Sequence, residues 1–222
     1  MGRRPPSRRV ARRNTHLAIY CTGLGKMAAD LRAILADKAA GATEIARRAL
    51  EYIAAGELKD PAEAARLLMT ARPDFGLLVN LGRRLEELAR TGGLTPEAVR
   101  RLLTELGEAA ERAARRAAQL LPPDADVVTA SYSSQVVRAV RLYRFRDGGR
   151  VWVWVTDPQD SIGRRTASVL GAEVITSLEK LSRPVGLIGA DAVFADGSVI
   201  NGAPSLSLAE ALAGRGAPLY VV

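Results

Sequence analysis

The sequence predicts an α/β protein: an N-terminal helical domain followed by a Rossmann-like parallel sheet with helices on both faces. Three observations predict it. From Ala28 to about Leu121 apolar residues recur at three- and four-residue spacing, the period of one helix face. Pro122-Pro123 ends that pattern, because neither residue can continue a helix. Beyond Asp126, short β-branched runs alternate with helical segments, the order of a parallel sheet covered on both faces.

The helical half divides at its breakers. Leu31, Ile34 and Leu35 share one face, and Ile45, Ala46, Ala49, Leu50 and Ile53 continue at helical spacing. Gly56 and Asp60-Pro61 punctuate, with Asp60 as cap and Pro61 in the first turn of the next helix. Arg72-Pro73 breaks that helix. Leu77, Leu78, Leu81, Leu85 and Leu88 form the next stripe, and Thr91-Gly92-Gly93 the loop after it. Thr95-Pro96 starts a last helix with Val99, Leu102, Leu103 and Leu106 inward.

In the second half, strands are expected at 126–130, 151–155, 172–176, 185–188 and 219–222, and helices at 133–143, 163–170 and 206–213. Arg146-Asp147-Gly148-Gly149 and Asp196-Gly197 read as turns. Trp152 and Trp154 share one strand face as packing residues. The domain limits expected are a basic, disordered tail over 1–26, helices over 27–123 and the α/β domain over 124–222.

Charge and rare residues narrow the function. The net charge is +8, and seven of those charges (Arg3, Arg4, Arg8, Arg9, Arg12, Arg13 and Lys26) lie in an acid-free opening segment, which leaves a body of +1. Nucleic-acid binding is therefore expected at most through that arm, and a solvated tail, or a segment that is not natively made, is the preferred reading. Met27 is a second candidate start. Leu17 to Leu24 has the apolarity of a signal segment but is short, and no run reaches the ~20 apolar residues of a membrane helix. The single cysteine, Cys21, and the single histidine, His16, both lie in the arm. A cytoplasmic setting, no membrane, no metal and no cofactor are expected.

Ligands of open α/β sheets sit beyond the carboxyl ends of the strands. Three segments lie there. The first is Thr129-Ala130-Ser131-Tyr132-Ser133-Ser134-Gln135, whose hydroxyl cluster serves either as helix cap or as anion cradle. The second, Thr156 to Arg165, carries Gly163-Arg164-Arg165 at a helix start, where the arginines face either a phosphate or solvent. The third, Gly189 to Asn201, holds Asp191 directly after a buried strand, as a general acid/base or as a turn residue. Gly23-Leu24-Gly25-Lys26 lacks the first glycine and the Ser/Thr of a P-loop.

The third segment, Gly-Ala-Asp-Ala-Val-Phe-Ala-Asp-Gly-Ser-Val-Ile-Asn at 189–201, with Gly-Ala-Pro-Leu-Tyr-Val-Val at 216–222, resembles the signature of the initiation factor 2B alpha/beta/delta family. That family includes methylthioribose-1-phosphate and ribose-1,5-bisphosphate isomerases. Thr129 to Val137, Gly163 to Ala167, Gly41 to Ala46, and Ala71-Arg72-Pro73 with Leu78-Val79-Asn80 are similar to its other motifs. The resemblance runs from about Met27 to the end. It implies a phosphorylated small molecule as ligand, with Thr129, Tyr132, Ser133, Ser134, Gly163, Arg164, Arg165 and Asn201 binding it, and a homodimer or related subunits as partners.

The departures from the pattern bear on catalysis. The isomerases' aspartate is kept as Asp191, but Ser131 stands at their cysteine, and a serine hydroxyl is far harder to ionise than a thiol. Their Asn-Lys pair becomes Asn201-Gly202, Gly-Thr becomes Pro204-Ser205, and the arginine before Gly163 becomes Pro158 or Gln159. Family members usually continue past the last signature strand with a segment that helps form the dimer. The expectation is a non-catalytic regulatory or ligand-binding protein for a sugar phosphate or nucleotide. The alternative is an aldose-phosphate isomerase using Asp191 and Ser131.

Overall fold

The computed structural model describes residues 31–37, 40–56, 61–147 and 149–222. The basic arm, the Met27 start and the Asp60 cap lie outside the described residues.

The helical half comprises α1 (Leu31–Leu35), α2 (Ala42–Ala54), α3 (Pro61–Ala71), α4 (Gly76–Arg90) and α5 (Pro96–Leu120). Thr95 caps α5 by accepting the Ala98 N–H at 3.2 Å, and Pro96 occupies its first turn, where no N–H is needed. The apolar stripes converge on one core built from Leu31, Leu35, Ile45, Leu50, Leu68, Leu78 and Leu85. The α3–α4 pair packs so closely that a Cβ at Gly82 would lie 2.6 Å from the Ala65 carbonyl. Helix α5 serves two cores. Val99 and Leu102 of its first turns belong to the helical core, whereas Ala114, Ala117 and Ala118 pack on the sheet layer. At 25 residues it spans about 38 Å and ties the halves together.

The α/β half runs β1 (Asp126–Ala130), α6 (Ser134–Asp147), β2 (Arg150–Trp154), α7 (Ser161–Leu170), β3 (Glu173–Ile175), β4 (Pro184–Ile188), β5 (Ala192–Val193), β6 (Val199–Ile200), α8 (Ser205–Ala213) and β7 (Leu219–Val221). The main sheet has the order β3-β2-β1-β4-β7, with every pairing parallel. This is the α/β architecture expected. Side chains alternate across it: Val127, Val151, Val153, Val185 and Leu187 face α5, α6 and α7, while Val128, Ala130, Trp154 and Ile188 face α8. The two tryptophans lie on the α8 face, and the Trp154 indole N–H donates to Ser207 Oγ at 2.9 Å. The chain leaves β1 toward β2 on one side and resumes with β4 on the other, so the strand order reverses between β1 and β4.

One local expectation is corrected and another is extended. Arg146 and Asp147 are the last residues of α6, not a turn; Arg144 bonds the Leu170 carbonyl and Arg146 the Leu121 carbonyl, which anchors that last turn. Asp196-Gly197 is a turn, but it joins two short strands, β5 and β6, as a separate antiparallel hairpin. Gly197 there has φ +85°.

The amino end of β1 holds a buried anion. Asp126 accepts from the Ser182 N–H (3.0 Å), the Arg183 N–H (3.2 Å) and the Trp152 indole (3.2 Å), and pairs with Arg150 at 2.9 Å. Burial alone would raise its pKa. The Arg183 and Trp152 hydrogen bonds, with the Arg150 charge, outweigh burial and hold the carboxyl below the usual range.

Candidate functional site at the strand-order reversal

The reversal between β1 and β4 brings two of the three predicted segments together. At the end of β1, Thr129 is fully buried and its Oγ1 has no hydrogen-bond partner. Ser131 turns the chain with φ +58°, a left-handed conformation that a non-glycine residue rarely adopts without a reason. Ser133 then caps α6: its Oγ accepts the Val136 N–H at 3.4 Å and its carbonyl the Val137 N–H at 3.0 Å. Just after β4, Gly189 lies against this turn. A Cβ there would sit 2.6 Å from Ser133 Oγ, so glycine is what lets the β4 end approach. Of the hydroxyl cluster, Ser133 is thus engaged in capping and packing.

Tyr132 and Ser134 face elsewhere. They line a cleft of about 430 Å³ between the two halves, together with Arg138 of α6, Arg165 of α7, and Asp37, Gly41, Thr43, Glu44 and Arg47 of the helical half. The Arg165 guanidinium lies over the Tyr132 ring. Gln135 donates to Thr43 Oγ1 at 3.4 Å across the cleft, and its own buried Oε1 has no donor.

The charges in this wall sort themselves. Arg47 pairs with Glu44 at 2.7 Å and with Glu51 at 2.5 Å. The Arg47 hydrogen bond in turn holds the Glu44 carboxyl below its ordinary pKa. Asp37 pairs with Arg48 at 2.7 Å. Arg138 and Arg165 have no acidic partner among the described residues. Two uncompensated guanidinium groups therefore face one cavity, and each offers a planar fork of donors suited to a phosphate or carboxylate.

The second segment separates its two arginines. Gly163 is buried under the β2 end, and a Cβ there would meet Val155 Cγ1 at 2.3 Å. Asp160 caps α7 by accepting the Ile162 N–H at 2.9 Å. Arg164 folds back on its own loop, donating to the Pro158 carbonyl at 2.7 Å and to Gln159 Oε1 at 3.4 Å. Arg165 turns to the cleft.

Asp191 is not among the cleft residues. Its N–H donates to the Ile200 carbonyl and its carbonyl accepts the Gly76 N–H, both at 2.8 Å, so it links the hairpin to the start of α4. Burial first, and then the Asp74 charge, raise its carboxyl pKa; Arg72 opposes them. Arg72 itself pairs with Asp74 at 3.0 Å and covers the Phe75 ring. Asn201 donates to Ser205 Oγ at 2.7 Å, at the first turn of α8.

Sequence reasoning did not assign Arg138, Thr43, Arg47 or the Arg72–Asp74 pair. A signal existed for two of them. Arg138 is four residues after Ser134, and Arg47 four after Thr43, so each shares a helix face with a cleft residue. Among the described residues, no group of three or more His, Cys, Asp or Glu is placed to hold a metal, and no helix is long and apolar enough to cross a membrane.

No family model matches the sequence, and no curated protein matches it. Solved structures do. Their class is that of initiation factor 2B subunits, to which this chain is similar in fold. It is similar to the Pyrococcus horikoshii OT3 translation initiation factor eIF-2B, at 25% identity over 86% of this chain and 75% of that one, with a TM-score of 0.60. It is also similar in fold to the tetrameric eIF2B-beta2-delta2 complex from C. thermophilum (16% identity, 86% and 75% coverage, TM-score 0.61). The Chaetomium thermophilum eIF2B beta shares that fold too (16%, 86% and 72%, 0.56).

Proposed function

We propose that the chain is an initiation factor 2B-subunit-like regulatory or ligand-binding protein, which holds a sugar phosphate or nucleotide without turning it over. The observation that carries this reading is the pair Arg138 and Arg165, unpaired with acids among the described residues and facing one cleft with Thr43, Tyr132 and Ser134. Its volume, about 430 Å³, falls in the range of small-molecule sites. Catalysis is disfavoured because neither Ser131 nor Asp191 lines the cleft, and the described residues contain no histidine to activate a serine hydroxyl.

The test is a thermal-shift and calorimetric titration with ribose 5-phosphate and AMP, on the wild type and on Arg138→Ala/Arg165→Ala. Saturable stabilisation, lost in the double variant, is expected. No shift at millimolar ligand would sink the reading.

The second reading, an aldose-phosphate isomerase, is favoured by one observation: Asp191 is partly buried and its carboxyl is raised, as a general acid/base requires. Proton NMR of ribose 1,5-bisphosphate and methylthioribose 1-phosphate incubated with the protein separates the two. Persistence of the aldose signals is expected; conversion that disappears in Asp191→Asn would establish the isomerase instead.

The C. thermophilum relatives of this fold include a beta–delta tetramer. A second copy of this chain or a related subunit is accordingly the partner proposed, in the cytoplasm, and sedimentation analysis tests it.

A further inference from the structure

The cleft adjoins a more apolar cavity across a shared wall. A second cavity of about 190 Å³ lies between α2 and α5, and its wall includes Thr43, Arg47 and Arg138, the same residues that wall the cleft. Leu103, Leu106 and Gly107 of α5 form its apolar side. Glu51 also borders it, but that carboxylate is paired with Arg47. Leu103 and Leu106 are partly buried against the helical core and leave an apolar surface beside the cavity. Gly107 is a mid-helix glycine with open space around it: a Cβ there would meet nothing within 4 Å. No packing contact therefore calls for glycine at this position, although it lowers helix propensity.

We infer that the ligand of the cleft is a phosphomonoester bearing an apolar substituent of several carbons. Its phosphate is held by Arg138 and Arg165, and its chain lies over Leu103 and Leu106 past Gly107. The inference rests on the phosphate reading of the cleft and goes beyond it. A bare sugar phosphate would occupy the polar chamber and leave the leucine wall wet, whereas an amphiphilic phosphate uses both the charge and the apolar surface. Burying a methylene fully is worth about a fourfold gain in affinity, and a trough this open yields less per carbon, so about tenfold is expected for a hexyl chain.

Calorimetric titration of the full chain with ribose 5-phosphate, hexyl phosphate and hexanol tests it, on the wild type and on Gly107→Gln. The substitution lays a polar side chain into the trough and favours the helix. Hexyl phosphate is expected to bind about tenfold more tightly than ribose 5-phosphate. Gly107→Gln should bring the two within about twofold and leave ribose 5-phosphate unchanged. Equal binding of the two phosphates to the wild type would overturn the apolar chamber while the phosphate cleft stood. A preference that survives Gly107→Gln, or hexanol binding as tightly as hexyl phosphate, would overturn it as well. Binding of neither phosphate would overturn both readings.

Discussion

The guanidinium carbon of Arg165 lies 5.2 Å from the centroid of the Tyr132 ring, so a residue of α7 and one of the β1–α6 turn meet at the mouth of the cleft. The ring positions the cation while leaving its N–H groups available to an anion. Tyr132→Phe is expected to leave phosphate affinity nearly unchanged, because the π face persists. Tyr132→Ala should weaken it by roughly two- to fivefold, the value of an exposed cation–π contact. Calorimetry with ribose 5-phosphate measures both; equal losses in the two variants would assign the effect to the hydroxyl instead.

Thr129 carries a buried hydroxyl with no partner. Valine has nearly the same shape and nothing to satisfy. Thr129→Val is expected to leave stability unchanged or raise it by up to about 1 kcal/mol in chemical denaturation, since an unpaired buried polar group is costly. A loss of 2 kcal/mol or more would show that the hydroxyl is satisfied in solution.

Asp126 behaves in the opposite way. It is buried and held by two backbone N–H groups, an indole and Arg150. Asp126→Ala strands those donors and should cost about 3 kcal/mol. Its folded pKa is lowered, so its stabilisation is complete above the unfolded value, near 3.9, and disappears as pH falls through the lower folded value. The wild type should lose stability in acid below about pH 4 more steeply than Asp126→Asn, by urea denaturation across pH.

Asp191 has the reverse sign. Its folded pKa is raised by burial and by Asp74, so ionisation destabilises the fold as pH climbs above the unfolded value. Asp191→Asn removes that loss. The variant is expected to melt at or above the wild-type temperature at pH 7, with the difference vanishing below about pH 4. A lower melting temperature at pH 7 would mean that the carboxylate has a stabilising partner.

Gly149 lies against the buried ring of Tyr143, where a Cβ would be 2.0 Å from Cε1. The Tyr143 hydroxyl donates to the Pro122 carbonyl at 3.0 Å and accepts the Ala125 N–H at 3.1 Å, so the ring cannot move without breaking the join between α5 and β1. Gly149→Ala should cost about 1–3 kcal/mol. Tyr143→Phe in the same background should restore none of it, because the ring remains.

What was legible follows from residue type and period. Val127 to Ala130 and Val151 to Trp154 are short apolar runs rich in β-branched and aromatic residues, and Leu78, Leu81 and Leu85 recur at helical spacing, so those strands and helices could be placed from the sequence. The β5–β6 hairpin could not, because two-residue strands carry no period. Arg164 and Arg165 read alike in sequence. Adjacent residues on a helix point about 100° apart, which sends one back to the Pro158 loop and the other to Tyr132.

The sequence by itself determined the helical half, the parallel sheet, the three segments at the strand ends and the serine, not cysteine, at position 131. Each is a property of neighbours along the chain. Only the tertiary structure decided that Thr43 and Arg47 join Tyr132, Arg138 and Arg165 around one cleft, and that the Asp191 carboxyl comes within the electrostatic reach of Asp74 and Arg72. Those residues are brought together by the packing of α5 across both cores and by the reversal of strand order between β1 and β4. Such juxtapositions depend on contacts between segments far apart in the chain, and no local spacing encodes them.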